Sequence, residues 1–366
     1  MTHLLRKNVL QQPQQTLQSL QVLRAIAALL VVFSHIRHKH LQNTPDASHF
    51  LDWMSVGPYG VDIFFVISGF IIAYITPVTA YTFTDVKNFM ARRLIRVVPL
   101  YWVVTLVALA AWLYDPGKVN STAPHLTRIW ESFLLLPTDG RYLYQTGWTL
   151  SYEMYFYALF GLTMLFGRFQ FRVLVTYLVA AIAVGLILQP GTDQPFMYMF
   201  TRDKLLEFLA GFLFCHTARY MIGKRPLTGI YLVSIGLVLI AIKAFTESQI
   251  AEVAYVWGIP AMCIVFGMLM LEKAVKWPAF MLRLGEASYA LYLTHSFVMA
   301  AGAIIWYRIF DTSLASNIGF MVASLTASVI LAFLTNTWLE KPMTIWLNNK
   351  WKARNTKVPV PVAAAE

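Results

Sequence analysis

The stretch that decides the fold is Leu20-Gln21-Val22-Leu23-Arg24-Ala25-Ile26-Ala27-Ala28-Leu29-Leu30-Val31-Val32-Phe33-Ser34-His35-Ile36. An apolar run of this length approaches the roughly 20 residues that carry a helix across a bilayer core. It does not read as a cleaved leader. Arg24 interrupts it, and Ser34-His35-Ile36-Arg37-His38-Lys39-His40 stands where a small-residue cleavage site would follow. A retained first span is expected. Arg24 and His35 are eleven residues apart, which at roughly 100° per residue is about 20° past three full turns. Both side chains therefore share one helix face, about 16 Å apart along the axis. Such a face either lines a cavity or marks two interfacial ends from which both chains snorkel to water.

The same pattern recurs down the chain. Of 366 residues, 58% are hydrophobic and 13% charged, about half the charge of a soluble domain. The mean hydropathy is +0.58. Apolar runs are expected as spans over 20–36, 61–75, 97–113, 148–166, 172–188, 205–222, 227–244, 251–271, 287–309 and 317–339. The fold class is thus all-α integral membrane, with about ten transmembrane helices. Residues 126–137 are too short to cross and read as an interfacial or re-entrant piece. Residues 1–19 and 343–366 are expected as cytoplasmic tails around one membrane domain, 20–342, with no soluble domain appended. Disordered chains, disulfide scaffolds and ordinary cytosolic enzymes are excluded by this composition. Cys215 and Cys263 lie inside apolar runs and read as buried small hydrophobes.

The net charge of +11 would suggest a nucleic-acid partner in a soluble protein. Here it follows topology. With the N-terminus inside, nineteen Lys and Arg fall in cytoplasmic segments and nine in outer ones, Arg24 being within a span. That bias puts both termini in the cytoplasm, in contact with membrane lipid and with no nucleic acid.

Ionisable groups inside spans are costly and mark function. His35 begins a run with His38, His40 and His49. No Cys or helically spaced carboxylate accompanies them, so one imidazole acting as general base is simpler than a metal site, and no metal is expected. Arg93 and Arg96 are i,i+3 neighbours just before Pro99. They suit either a phosphorylated ligand or anchoring to anionic lipid. Glu153 lies about 8 Å below the outer start of its helix, roughly the depth of His35, where a carboxylate can orient or charge a histidine. Asp62, near the start of the second span, reads as an outer-side polar group or a plain helix-start acid. His295, about ten residues into the ninth span, reads first as a packed histidine near the midplane. Glu340-Lys341-Pro342 reads as a helix terminus with a local ion pair.

Leu23-Arg24-Ala25-Ile26-Ala27-Ala28-Leu29 through His35 resembles the Arg-x10-His signature of the membrane acyltransferase-3 family. Gly60-Val61-Asp62-Ile63-Phe64-Phe65-Val66-Ile67-Ser68-Gly69-Phe70 resembles its second-helix motif, and Arg93-x-x-Arg96 with Pro99-x-Tyr101 its cytoplasmic arginine motif. Gly147-Trp148-Thr149-Leu150-Ser151-Tyr152-Glu153-Met154-Tyr155-Phe156-Tyr157 is similar to its fourth-helix Glu motif, in a form like the exopolysaccharide O-acetyltransferases. Ser288-Tyr289 to His295 matches a weaker C-terminal feature. The resemblance implies transfer of an acetyl or other short acyl group from cytoplasmic acetyl-CoA to a sugar hydroxyl of a surface polysaccharide or lipid-linked sugar, at a bacterial inner membrane. It implies catalytic roles for His35, Glu153 and Arg24, CoA contacts from Arg93, Arg96 and Arg24, and acceptor-side roles for Asp62, Trp148 and His295. The competing class is a secondary transporter or glycan flippase with Arg24, Glu153 and His295 on its path. The absence of internal repeats and of Gly/Pro-broken helix pairs counts against it.

Overall fold

The computed structural model describes residues 17–43, 54, 56–76, 82–120, 123–245 and 254–355. His49, the basic residues Arg6, Lys7 and Lys357, residues 1–16 of the first expected tail and 356–366 of the second lie outside these residues; the second tail's residues 343–355 continue as helix. The opening stretch is one helix, α1 (Gln18–Asn43). It is followed by α2 (Pro58–Ile75), with Pro58 at its first position, and α3 (Phe83–Tyr114). A capping box starts α3. The Thr82 hydroxyl accepts from the Asp85 amide at 3.3 Å, and the Asp85 carboxylate accepts from the Thr82 amide at 2.7 Å.

Between α3 and the next long helix, β1 (Thr127–Arg128) and β2 (Arg141–Tyr142) pair in parallel around the short α4 (Ile129–Leu134). The chain continues as α5 (Gly147–Met164), α6 (Gln170–Leu188), the short α7 (Pro195–Phe200) and α8 (Leu205–Ala218). Then come α9 (Pro226–Phe245), α10 (Ala254–Met270), α11 (Ala279–Glu286), α12 (Ser288–Ile309) and α13 (Leu314–Thr335). A π turn over Asn336–Glu340 leads into α14 (Lys341–Asn355). The expected helix end at Glu340-Lys341-Pro342 is therefore a change of helical register. Pro342 lacks an N–H, a defect tolerated near a helix start, and the wider turn just before it absorbs the change.

Each of the ten expected spans is helical over most of its described residues. Among the described residues, six helical runs are long and apolar enough by themselves to cross a membrane: Gln18–Gln42, Pro58–Ile75, Phe83–Tyr114, Gly167–Leu188, Ser288–Ile309 and Leu314–Arg354. The apolar helices Pro226–Ile242 and Gly258–Met270 are shorter. α8 has 14 residues, and α5 carries Thr149, Ser151 and Glu153 along its first two turns. The molecule is a multi-pass helical membrane protein.

α1 sits at the centre, packed on α2, α11 and α12. Its alanines permit close approach: Ala25, Ala27 and Ala28 are fully buried, as are Leu23, Val32 and Ile36. α2 lies along α8. A Cβ added to Gly69 would clash with the carbonyl of Phe208, and one on Gly211 with the carbonyl of Val66. The two glycines thus let the backbones touch, as small residues do between membrane helices. α3, α6 and α9 keep large apolar side chains exposed, among them Leu106, Val107, Ile187, Leu227 and Tyr231. Unburied apolar faces of this extent suit lipid rather than water.

Candidate active site

Two buried polar centres among the described residues bear on the candidate site. The first is a cavity of about 240 Å³ walled by α1, α2, α3, α5 and α12. α1 contributes Arg24, whose Nη1 donates to Gln21 Oε1 at 3.3 Å. α3 contributes Arg93 and Arg96 on one wall, as their i,i+3 spacing requires. The Arg93 guanidinium is set against the rings of Phe89, at 5.4 Å, and Tyr157, at 5.6 Å. Its Nε is buried and makes no hydrogen bond. Arg96 lies over the Tyr289 ring at 5.5 Å and pairs with Glu340, brought in by the π turn. Glu340 also accepts from Asn336 Nδ2 at 2.9 Å. Tyr289 donates to the Val97 carbonyl at 2.6 Å, two residues before Pro99.

Glu153 faces the same cavity from α5. Its Oε1 accepts from Ser68 Oγ at 3.0 Å and from the hydroxyl of Tyr157, one turn further along α5. Three guanidinium groups thus converge where two carboxylates, Glu153 and Glu340, offset part of their charge. A chamber of this kind attracts a polyanionic ligand, and arginine forks match phosphate geometry.

The second centre joins α1 to α12. His35 Nδ1 is 2.9 Å from the Val31 carbonyl oxygen and 3.2 Å from His295 Nε2, with the ring centroids 4.8 Å apart. His295 is fully buried. Its Nδ1 is 3.1 Å from the Leu291 carbonyl oxygen, and Ser296 Oγ is 3.3 Å from its Nε2. Tyr292 stands between the two centres. It lines the cavity, its hydroxyl is 2.6 Å from Thr149 Oγ1, and its ring centroid is 6.1 Å from that of His295.

The expected direct pairing of Glu153 with His35 is not formed. Glu153 is held from α2 and from its own helix, whereas His35 faces α12 and takes His295 as its side-chain partner. His38 and His40 lie apart from this pair, His38 against Gln42 at 2.9 Å and His40 near the Tyr307 hydroxyl at 3.4 Å. Asp62 does not line the cavity. It is buried on α2 and accepts from Lys204 Nζ at 2.6 Å, while Lys204 also reaches Glu207 at 3.0 Å. Trp148 is partly exposed at the start of α5, edge-on to Tyr152.

Ser68 and Tyr157 lie within the quoted motifs, but nothing in the spacing announces that both donate to Glu153, and Lys204 and Glu207 belong to no motif. Glu207 did carry a signal, since it is an acid inside an expected span. Glu340 was placed in a local pair with Lys341. The correction is that both bonds are long-range: Glu340 pairs with Arg96, and Lys341 with Glu286 at 2.8 Å. The two side chains leave the helix in different directions, so each meets a different neighbour.

A family model described as an acyltransferase domain, acyltransferase-3, matches residues 17–337. The chain is 28% identical over 307 residues to the exopolysaccharide production protein ExoZ of Rhizobium meliloti, covering 79% of this chain and 90% of that protein. It is 26% identical over 364 residues to the acyltransferase MdmB of Streptomyces mycarofaciens, covering 89% and 91%. No solved structure matches it. A match that runs from the first helix through the last apolar one, over the arginine cavity and the histidine pair alike, leaves one conclusion: the chain belongs to the acyltransferase-3 family.

Proposed function

We propose that this acyltransferase is an O-acyltransferase of the bacterial inner membrane, moving an acetyl or other short acyl group from cytoplasmic acyl-CoA to a hydroxyl of an exported polysaccharide or its lipid-linked precursor. The observation that carries the reading is the cavity into which Arg24, Arg93 and Arg96 converge. In this reading all ten helices cross, α5 and α8 to α10 included, and both termini face the cytoplasm. The name of the relative ExoZ supports the choice of a polysaccharide acceptor.

Arg93 and Arg96 hold the CoA phosphates, Arg93 with its free Nε and Arg96 with the fork that Glu340 leaves unused. Arg24, a few helical turns nearer the cytoplasm than His35 on the same face of α1, steadies the pantetheine arm or the thioester oxygen. His35 takes the proton of the acceptor hydroxyl as that oxygen bonds to the thioester carbonyl carbon. The carbon–sulfur bond then breaks, and the proton passes from His35 to the departing sulfur. Glu153, oriented by Ser68 and Tyr157, stabilises the transient imidazolium through its field rather than by direct contact. Trp148 offers an aromatic face to the sugar on the outer side.

The test is direct. His35→Ala abolishes acetyl transfer and leaves acetyl-CoA binding intact, whereas paired Arg93→Ala and Arg96→Ala weaken binding. Turnover surviving in His35→Ala removes the general base from this reading. Unchanged donor affinity in the double variant returns the arginines to lipid anchoring.

A further inference from the structure

The geometry assigns His295 as the positioning residue of His35, an imidazole that fixes the direction of the His35 ring and accepts from its protonated Nδ1. The assignment rests on the reading of His35 as general base. Proton placement follows from the two backbone carbonyls. A carbonyl oxygen only accepts, so His295 Nδ1, 3.1 Å from the Leu291 oxygen, carries hydrogen. In a neutral imidazole the other nitrogen then keeps its lone pair. His35 Nδ1 faces that lone pair at 3.2 Å and the Val31 oxygen at 2.9 Å. Both neighbours are acceptors, so His35 Nδ1 is also the protonated nitrogen. His35 Nε2 is left with its lone pair and makes no hydrogen bond among the described residues. Each carbonyl lies one turn back on the histidine's own helix, so each tautomer is set by rigid backbone.

His295 adds two things that the Val31 carbonyl does not. Its ring, fully buried and set at 66° to that of His35, fixes the direction of the His35 ring from a second helix. It also accepts the Nδ1–H bond as the imidazolium forms. When the acceptor O–H bond breaks and its proton goes to His35 Nε2, the His35–His295 bond becomes charge-assisted and about twice as strong. As the new C–O bond forms and the C–S bond breaks, that proton leaves Nε2 for the sulfur and the pair returns to neutral. A neutral acceptor does this without leaving a buried negative charge in the resting protein, where a carboxylate would need a counter-ion.

The test compares His295→Phe, which keeps a ring and removes both nitrogens, with His295→Gln, which restores an acceptor near the Nε2 position. The purified protein is given radiolabelled acetyl-CoA and the host polysaccharide stripped of esters by mild alkali. His295→Phe is expected to lower kcat by about a hundredfold with the KM for acetyl-CoA within about twofold. His295→Gln is expected to recover to within about tenfold of the parent protein. Equal losses in the two variants, with melting temperatures unchanged, overturn the assignment in favour of packing. A raised acceptor KM at unchanged kcat overturns it in favour of substrate contact. If His295→Phe does not accumulate, His295→Leu takes its place against the same Gln rescue. His35→Ala separates the two levels. Turnover retained there defeats the base reading itself, whereas a dead His35→Ala beside a fully active His295→Phe defeats only the positioning role.

Discussion

Arg96→Met strands a carboxylate that has almost no access to solvent. Glu340 is 1% exposed and Arg96 36% exposed, so the two halves of this ion pair are not equivalent. A pair of unit charges about 4 Å apart is worth ~4 kcal/mol at an effective dielectric near 20. Removing one partner of a fully buried pair costs roughly 3–5 kcal/mol. Glu340 retains its 2.9 Å bond from Asn336, and Arg96 is already one-third solvated, so the cost of Arg96→Met falls to about 2–3 kcal/mol. Glu340→Gln leaves Arg96 free to turn toward water or headgroups with its stem still over the Tyr289 ring, at a cost of about 1 kcal/mol or less. The double variant, with neither charge, is expected to lie closer to the parent protein than Arg96→Met does. The assay is thermal unfolding of the purified protein in one detergent, with expected losses of roughly 3–4 °C for Arg96→Met and about 1 °C for Glu340→Gln. Equal losses in the two single variants, or a double variant worse than Arg96→Met, would refute the account of Glu340 as a buried acid that depends on Arg96.

Three other expectations follow from the packing and the polar clusters. Gly69→Ala places a methyl against the Phe208 carbonyl and is expected to lose about 1–3 kcal/mol by thermal unfolding, whereas Gly302→Ala, whose added Cβ meets nothing nearer than 3.7 Å, should be close to neutral. Lys204→Met leaves Asp62 and Glu207 buried without their shared cation. It is expected to cost about 3–5 kcal/mol, read as lost accumulation in the membrane, with Asp62→Asn in the same chain restoring part of it. Tyr157→Phe with Ser68→Ala removes both donors to Glu153 and is expected to lower kcat about tenfold or more, with donor binding little changed, measured by initial rates of acetyl transfer.

What the sequence made legible is what a single helix determines. Arg24 and His35 share a face because eleven residues close three turns, and both reach polar centres of the interior. Arg93 and Arg96 stand on one wall of the cavity because three residues bring side chains round to the same side. The partners of these groups depend on which helix packs against which, and hydropathy does not encode that order. His35 meets His295 across 260 positions, Arg96 meets Glu340 across 244, and Lys204 meets Asp62 across 142. Depth alone suggested pairing Glu153 with His35. Two groups at one depth on different helices need not face each other, and here each found a nearer partner. That α13 runs on through Glu340 into α14 was hidden for a similar reason. Pro342 reads as a stop in isolation, and only the π turn before it shows how the helix passes through.

If acyl groups leave CoA and reach a glycan through His35, label carried on the donor follows the same path. Purified protein in lipid discs is supplied with radiolabelled acetyl-CoA and the ester-free polysaccharide of the producing cell. The account predicts label on the polysaccharide that mild alkali releases, present with the parent protein and lost with His35→Ala. Label that stays on CoA, or appears equally with His35→Ala, would contradict it.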